Sequence, residues 1–136
     1  MLVASVDARE WLMSRVSTCL NFMGNTEEVF TFYASVFGTE FSMPINQFGD
    51  MSAPPGAPEL PEHEHSLVLH VELPILTGHV IMGTDMLESM GHELRAGNNT
   101  TLNLEPDTRD ETERLFAALS EGGSDTVGLD LMPWGS

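Results

Sequence analysis

Residues 17–38, STCLNFMGNTEEVFTFYASVFG, and residues 99–108, NTTLNLEPDT, carry the reading on which the fold turns. From Ser17 to Phe22 the chain alternates, with Thr18, Leu20 and Phe22 on one face and Cys19 and Asn21 on the other, the pattern of a half-buried strand. Gly24 breaks the strand, and Asn25 with Glu28 three residues on has the layout of a helix-starting capping box. Val29, Phe30, Tyr33, Val36 and Phe37 then recur at helical spacing until Gly38 stops the helix. Leu20 to Thr26 aligns with Leu102 to Thr108 at a spacing of 82 residues, with Leu, Asn and Thr unchanged. The second copy predicts a strand over Thr100 to Leu104 and a Thr108–Glu111 capping box. A helix lined by Leu115, Phe116 and Leu119 follows, ended by Gly122 and Gly123, then a last strand from Ser124 to Leu131. Self-similarity in the same order of strand, cap, helix and glycine argues for an internal repeat.

Between the copies, Glu40 to Phe48 reads as a second strand disturbed by Pro44. Residues 51–65 hold four of the eight prolines and read as an irregular loop, a candidate cavity lid. Ser66 to Leu73 alternates as a strand, Pro74 to Gly78 as a turn, and His79 to Thr84 as a further strand; 86–98 reads as a connection. The expected fold class is α+β, built from duplicated β-α-β-β-β modules in one structural domain. Residues 1–16 are an N-terminal extension, 17–98 the first module and 99–136 an incomplete second one.

The chain is strongly acidic: 21 Asp and Glu face 5 Arg and no Lys, for a net charge of −16. Such a surface repels phosphate backbones and anionic lipid, so neither nucleic acid nor membrane is an expected partner. Cys19 is the one cysteine, which excludes an intrachain disulfide and makes a cytoplasmic location the default. No apolar run reaches membrane-spanning length.

Ser17-Thr18, LNFMGNTEEVFTFYASVFG (20–38), FGDM (48–51), HVELPI (70–75), GHVIMGTD (78–85), AGNNTTLNLEPDT (96–108) and ERLFAALSEGG (113–123) together resemble the vicinal oxygen chelate superfamily of glyoxalases, bleomycin-resistance proteins and dioxygenases. Within it they are most similar to the PhnB-like, 3-demethylubiquinone-9 3-methyltransferase-like subgroup. The resemblance implies a ligand cavity between paired modules. It also implies two further strands after a pair like Trp134-Gly135, so that the second module lacks its last two strands and a homodimer is expected to cover the sheet edge. The superfamily's two first-strand metal positions fall on Ser17 and Asn99, which are poor ligands, so the usual His/Glu quartet is not expected and no cofactor is expected. No adenosyl-cofactor turn follows a strand.

Strand parity places Asn21, His70, Glu72 and Asn103 toward the cavity, under Leu69, Val71 and Leu73 packed beneath a helix. Phe48, at a turn before Gly49, and Trp134 are the aromatic candidates for covering a small organic ligand. His70, Glu72 and His79 form a weaker candidate set for a divalent metal, against the plainer reading of a buried His–Glu pair. The His63-Glu64-His65 clip reads as solvated loop more readily than as metal ligands, and Cys19 as a buried, inert thiol. Whether the chain turns over its ligand is left open. Metal-free binding, including drug sequestration, stands against a metal-dependent enzyme with a non-standard site.

Overall fold

The computed structural model describes residues 15–53, 55–124 and 129. Strand β1 (Thr18–Phe22) leads into helix α1 (Thr26–Phe37), and β2 (Asn46–Gln47) is followed by a 3-10 turn at Phe48–Asp50. A second 3-10 turn, Glu62–Glu64, precedes the hairpin of β3 (Val68–Leu76) and β4 (His79–Asp85), and helix α2 (Arg109–Ser120) comes last. The four strands form a mixed sheet in the order β1-β4-β3-β2. β4 pairs parallel with β1 and antiparallel with β3, which in turn pairs antiparallel with β2. The element order is the β-α-β-β-β order expected for 17–98.

One face of this sheet is the core. Phe30 of α1 is fully buried against Val68, Val71, Leu73, Ile75 and Ile81, with Phe22, Tyr33, Phe37 and Leu104 packed at the margin. Phe30 meets Phe22 and Tyr33 edge-on at 6.2 and 5.7 Å between ring centres, an arrangement the ring quadrupoles favour. The close seat of α1 depends on Gly83: a Cβ there would lie 2.5 Å from the Phe30 ring and 2.9 Å from the Thr26 methyl. β1 obeys the expected parity, with Thr18, Leu20 and Phe22 half-buried and Cys19 and Asn21 exposed.

The start of α1 is held differently from the capping-box expectation. Asn25 makes no side-chain cap bond. Instead the buried Asp85 carboxylate, at the end of β4, accepts from Gly24 N–H (2.9 Å), Thr26 N–H (3.2 Å), Thr26 Oγ1 (2.6 Å) and Val68 N–H (2.8 Å). An anion at a helix N-terminus satisfies orphan donors and the dipole at once, and here it also ties the helix to two strands. In α2 the expected cap is made, since Glu111 N–H donates to Thr108 Oγ1 at 3.1 Å. Glu111's own carboxylate turns instead to Arg114.

Four expectations are corrected. Glu40 to Phe48 is a strand only at Asn46–Gln47. β3 runs through Pro74 to Leu76, because β2 reaches only as far as His70 and Pro74 therefore has no ladder bond to donate on that side. At the start of β3, Val68 rather than Leu69 enters the core, its N–H captured by Asp85. Thr100 to Leu104 is not a strand: no strand among the described residues pairs with it, and Leu104 packs on the margin of the first core. The last strand expected over 124–131 lies almost wholly outside the described residues.

Candidate functional site

The face of the sheet opposite α1 carries the polar side chains. By alternation it is set by Cys19 and Asn21 of β1, Met82 and Thr84 of β4, His70 and Glu72 of β3, and Asn46 of β2. Register then arranges them in rows. Cys19 lies beside Met82, and Met82 beside Glu72. Asn21 lies beside Thr84, and Asn46 beside His70. The β3–β4 ladder begins at Val71 and Gly83, one residue beyond His70 and Thr84.

Glu72 is the organising charge of this open face. It is 7% exposed, although it sits on the side of the sheet away from the apolar core. His70 Nε2 lies 3.0 Å from its Oε1, and Arg15 Nη2 lies 3.7 Å from the same oxygen. A carboxylate can only accept, so the proton of the neutral imidazole belongs on Nε2 and the lone pair on Nδ1. The plain His–Glu pair of the sequence reading is therefore made, between residues two apart on β3. Ser17, at the first-strand metal position, donates its hydroxyl toward Met82 Sδ at 3.7 Å.

His79 does not join them. Its Nε2 is 3.2 Å from Thr18 Oγ1, on the Leu20 and Phe22 side of β1. The irregular pairing between Pro74 and Leu76 fixes its place in the hairpin. The His70–Glu72–His79 metal set is thus divided between the two faces of the sheet. Among the described residues no group of three or more His, Cys, Asp or Glu is placed to hold a metal ion.

Of the remaining candidates, Phe48 is half-buried in the turn after β2, its N–H bonded to Leu67 C=O at 3.0 Å. Asn103 is exposed and bonds Glu105, not the open face. Its neighbours Leu102 and Leu104 line two apolar cavities on the helix side, of about 240 and 300 Å³. Trp134 lies outside the described residues. Cys19 is exposed rather than buried, while partial desolvation raises its thiol above the ordinary value, which keeps it a poor nucleophile.

The 51–65 loop contains a feature sequence reasoning missed. Glu64 is 1% exposed and accepts from Ser89 N–H and Ser89 Oγ at 3.1 and 2.5 Å. The Ser89 hydroxyl, then its N–H and the nearby His63 and His92, hold the Glu64 carboxyl below its usual range against the opposing effect of desolvation. His65 Nε2 meanwhile meets Leu60 C=O at 3.1 Å, so the clip turns its members to separate partners. No sequence signal marked Glu64 as internal, since Ser89 is 25 residues away.

No family profile matches the chain, and no curated protein matches it. Solved structures do. Protein PA1353 from Pseudomonas aeruginosa superposes with a TM-score of 0.72 at 26% identity, over 89% of this chain and 83% of that one. A PhnB protein from Bacillus cereus, described as a candidate 3-demethylubiquinone-9 3-methyltransferase, superposes with a TM-score of 0.63 at 23% identity, over 89% and 84%. The fold is of the glyoxalase/bleomycin-resistance type.

Proposed function

We infer that this chain is a PhnB-like vicinal-oxygen-chelate protein that binds a small organic molecule on the open face of its sheet without the superfamily's metal quartet. A buried carboxylate on that face, dressed by His70 and Arg15 and flanked by uncharged amide, hydroxyl and thioether groups, is the observation that carries the reading. Burying a charge away from the core is costly unless it organises its neighbours, and ligand sites are where such arrangements recur. Asn21, Asn46, His70, Glu72 and Thr84 supply hydrogen bonds, while Phe48 and Met82 supply apolar cover. The letters repeated at Leu20 and Leu102 support a duplicated ancestry, with a second module from residue 99 on. A homodimer would roof the open face and make it a cavity. The donor set does not fit a catalytic Zn, Fe or Mn centre: Ser17 and Asn99 replace the imidazoles, and His79 is on the wrong face.

The test is ligand-induced thermal stabilisation with a panel of aromatic fragments. A fragment present at a hundredfold excess over its Kd stabilises by about 2.7 kcal/mol. Thr84→Val and Asn46→Ala should abolish the shift, and Leu104→Phe, which fills the helix-side cavities, should retain it. The reverse pattern would move the site to those cavities, and a purified protein carrying stoichiometric zinc or iron would favour the metal-dependent enzyme.

A further inference from the structure

We propose that the open face also carries a metal-independent hydrolytic activity toward activated carboxylic esters, with His70 as general base on water and Glu72 as its positioning residue. The inference rests on the open face being the binding surface. Its first ground is the dyad itself. Glu72 takes the Nε2 proton at 3.0 Å and is itself held by Arg15, so the basic Nδ1 is turned away from the carboxylate. A buried carboxylate behind an imidazole fixes its tautomer and stabilises the imidazolium formed when it accepts a proton.

The second ground is what flanks the base. Asn46 is its direct partner on β2, and Thr84 and Asn21 pair with each other across β4 and β1. Adjacent strands are about 4.8 Å apart, so the Asn46 amide stands one strand spacing from the imidazole, beside the place where an oxyanion would form. Among the described residues, the charged groups facing His70 are Glu72 on its own strand and Arg15 ahead of β1, while β2 presents the uncharged Asn46.

The third ground selects the nucleophile. The Thr84 hydroxyl points back to the Val68 and Asp85 carbonyls at 3.3 and 3.4 Å. Partial desolvation disfavours the Cys19 thiolate. Water therefore attacks. Its oxygen bonds to the ester carbon as its proton passes to His70 Nδ1, and the carbonyl π pair moves to an oxygen held by the Asn46 amide. Collapse of the tetrahedral adduct breaks the carbon–oxygen bond to the leaving alkoxide, and the proton on His70 is released to it or to water. No metal or redox partner enters the balance.

The probe is p-nitrophenyl acetate with the full chain, its non-hydrolysed analogue 4-nitroacetanilide serving for equilibrium dialysis. Turnover should exceed that of equimolar free imidazole. His70→Gln should lower kcat roughly a hundredfold, the usual range for a general base. Glu72→Gln should lower kcat about tenfold with KM little changed, Glu72→Asp should recover part of the loss, and His63→Gln should have no effect. A rate equal to free imidazole, or unchanged in His70→Gln, overturns the proposal. If 4-nitroacetanilide still binds, and Thr84→Val weakens it, the hydrolytic inference alone has failed. If it does not bind either, the binding surface has failed with it.

Discussion

Replacing Asp85 by Asn probes the joint on which the sheet and α1 depend. One carboxylate oxygen receives Gly24 N–H, Thr26 N–H and Thr26 Oγ1, and the other receives Val68 N–H. An amide of the same shape keeps one acceptor. With its oxygen toward the three donors, its NH2 group confronts the Val68 N–H, 2.8 Å from the position it replaces. Hydrogen bonds to a charged acceptor contribute about 1.5–3 kcal/mol, and a buried donor left unpaired costs about 1–3 kcal/mol. Losing the charge from three bonds and reversing the fourth should therefore cost about 3–5 kcal/mol, with allowance for relaxation around Gly24. That is a large share of the roughly 5–15 kcal/mol by which domains are folded. Urea unfolding followed by far-UV circular dichroism should show the midpoint falling with little change in slope. Adding Thr26→Val to Asp85→Asn should cost less than Thr26→Val alone, because the bond that Thr26→Val removes has already lost its charged acceptor. A loss under 1 kcal/mol, or strict additivity of the two changes, would refute the role given to Asp85.

Other outcomes follow from the same structure. Gly83→Ala drives a methyl into the Phe30 ring, which is fully buried and has no room to yield, so it should cost about 1–3 kcal/mol or more by urea unfolding. Glu64 has a lowered folded-state pKa, so its bond to Ser89 stabilises fully above its ordinary value of 4.5 and the contribution fades as pH falls through the depressed one. The Tm difference between wild type and Ser89→Ala should accordingly be constant from pH 5 to 7 and shrink in stronger acid; a difference that grows in acid would reverse the sign. Cys19, exposed but with a raised thiol pKa, should react with iodoacetamide at pH 7.5 more slowly than free cysteine. With a net charge of −16, the fold should gain stability as salt rises toward 0.5 M, where repulsion is screened within a few ångströms.

The fold of 17–98 was legible because its signals were local. Parity in Thr18–Phe22 and the apolar stripe from Phe30 to Phe37 each needed only their own residues. What escaped depended on partners distant in sequence. Leu102-Asn103-Leu104 repeats the letters of β1, yet β1 is a strand because β4 pairs with it, and strand propensity without a neighbouring edge decides little. Asn25 has the chemistry of a cap, but the start of α1 is held instead by Asp85, 60 residues on, which takes the Gly24 and Thr26 N–H groups. At the site, His70 and Glu72 could be paired from alternation alone. The face taken by His79 depended on where β3 and β4 fall out of register, which composition does not encode. Asn46 and Thr84 were missed because membership of the open row is set by cross-strand register.

Amide NMR of the full chain titrated with 4-nitroacetanilide tests the binding surface most directly. Shifts concentrated at Asn21, Asn46, His70 and Thr84, and abolished in Thr84→Val, are the predicted result. Shifts confined to Leu102, Leu104 and Leu119, with the open face silent, would contradict it.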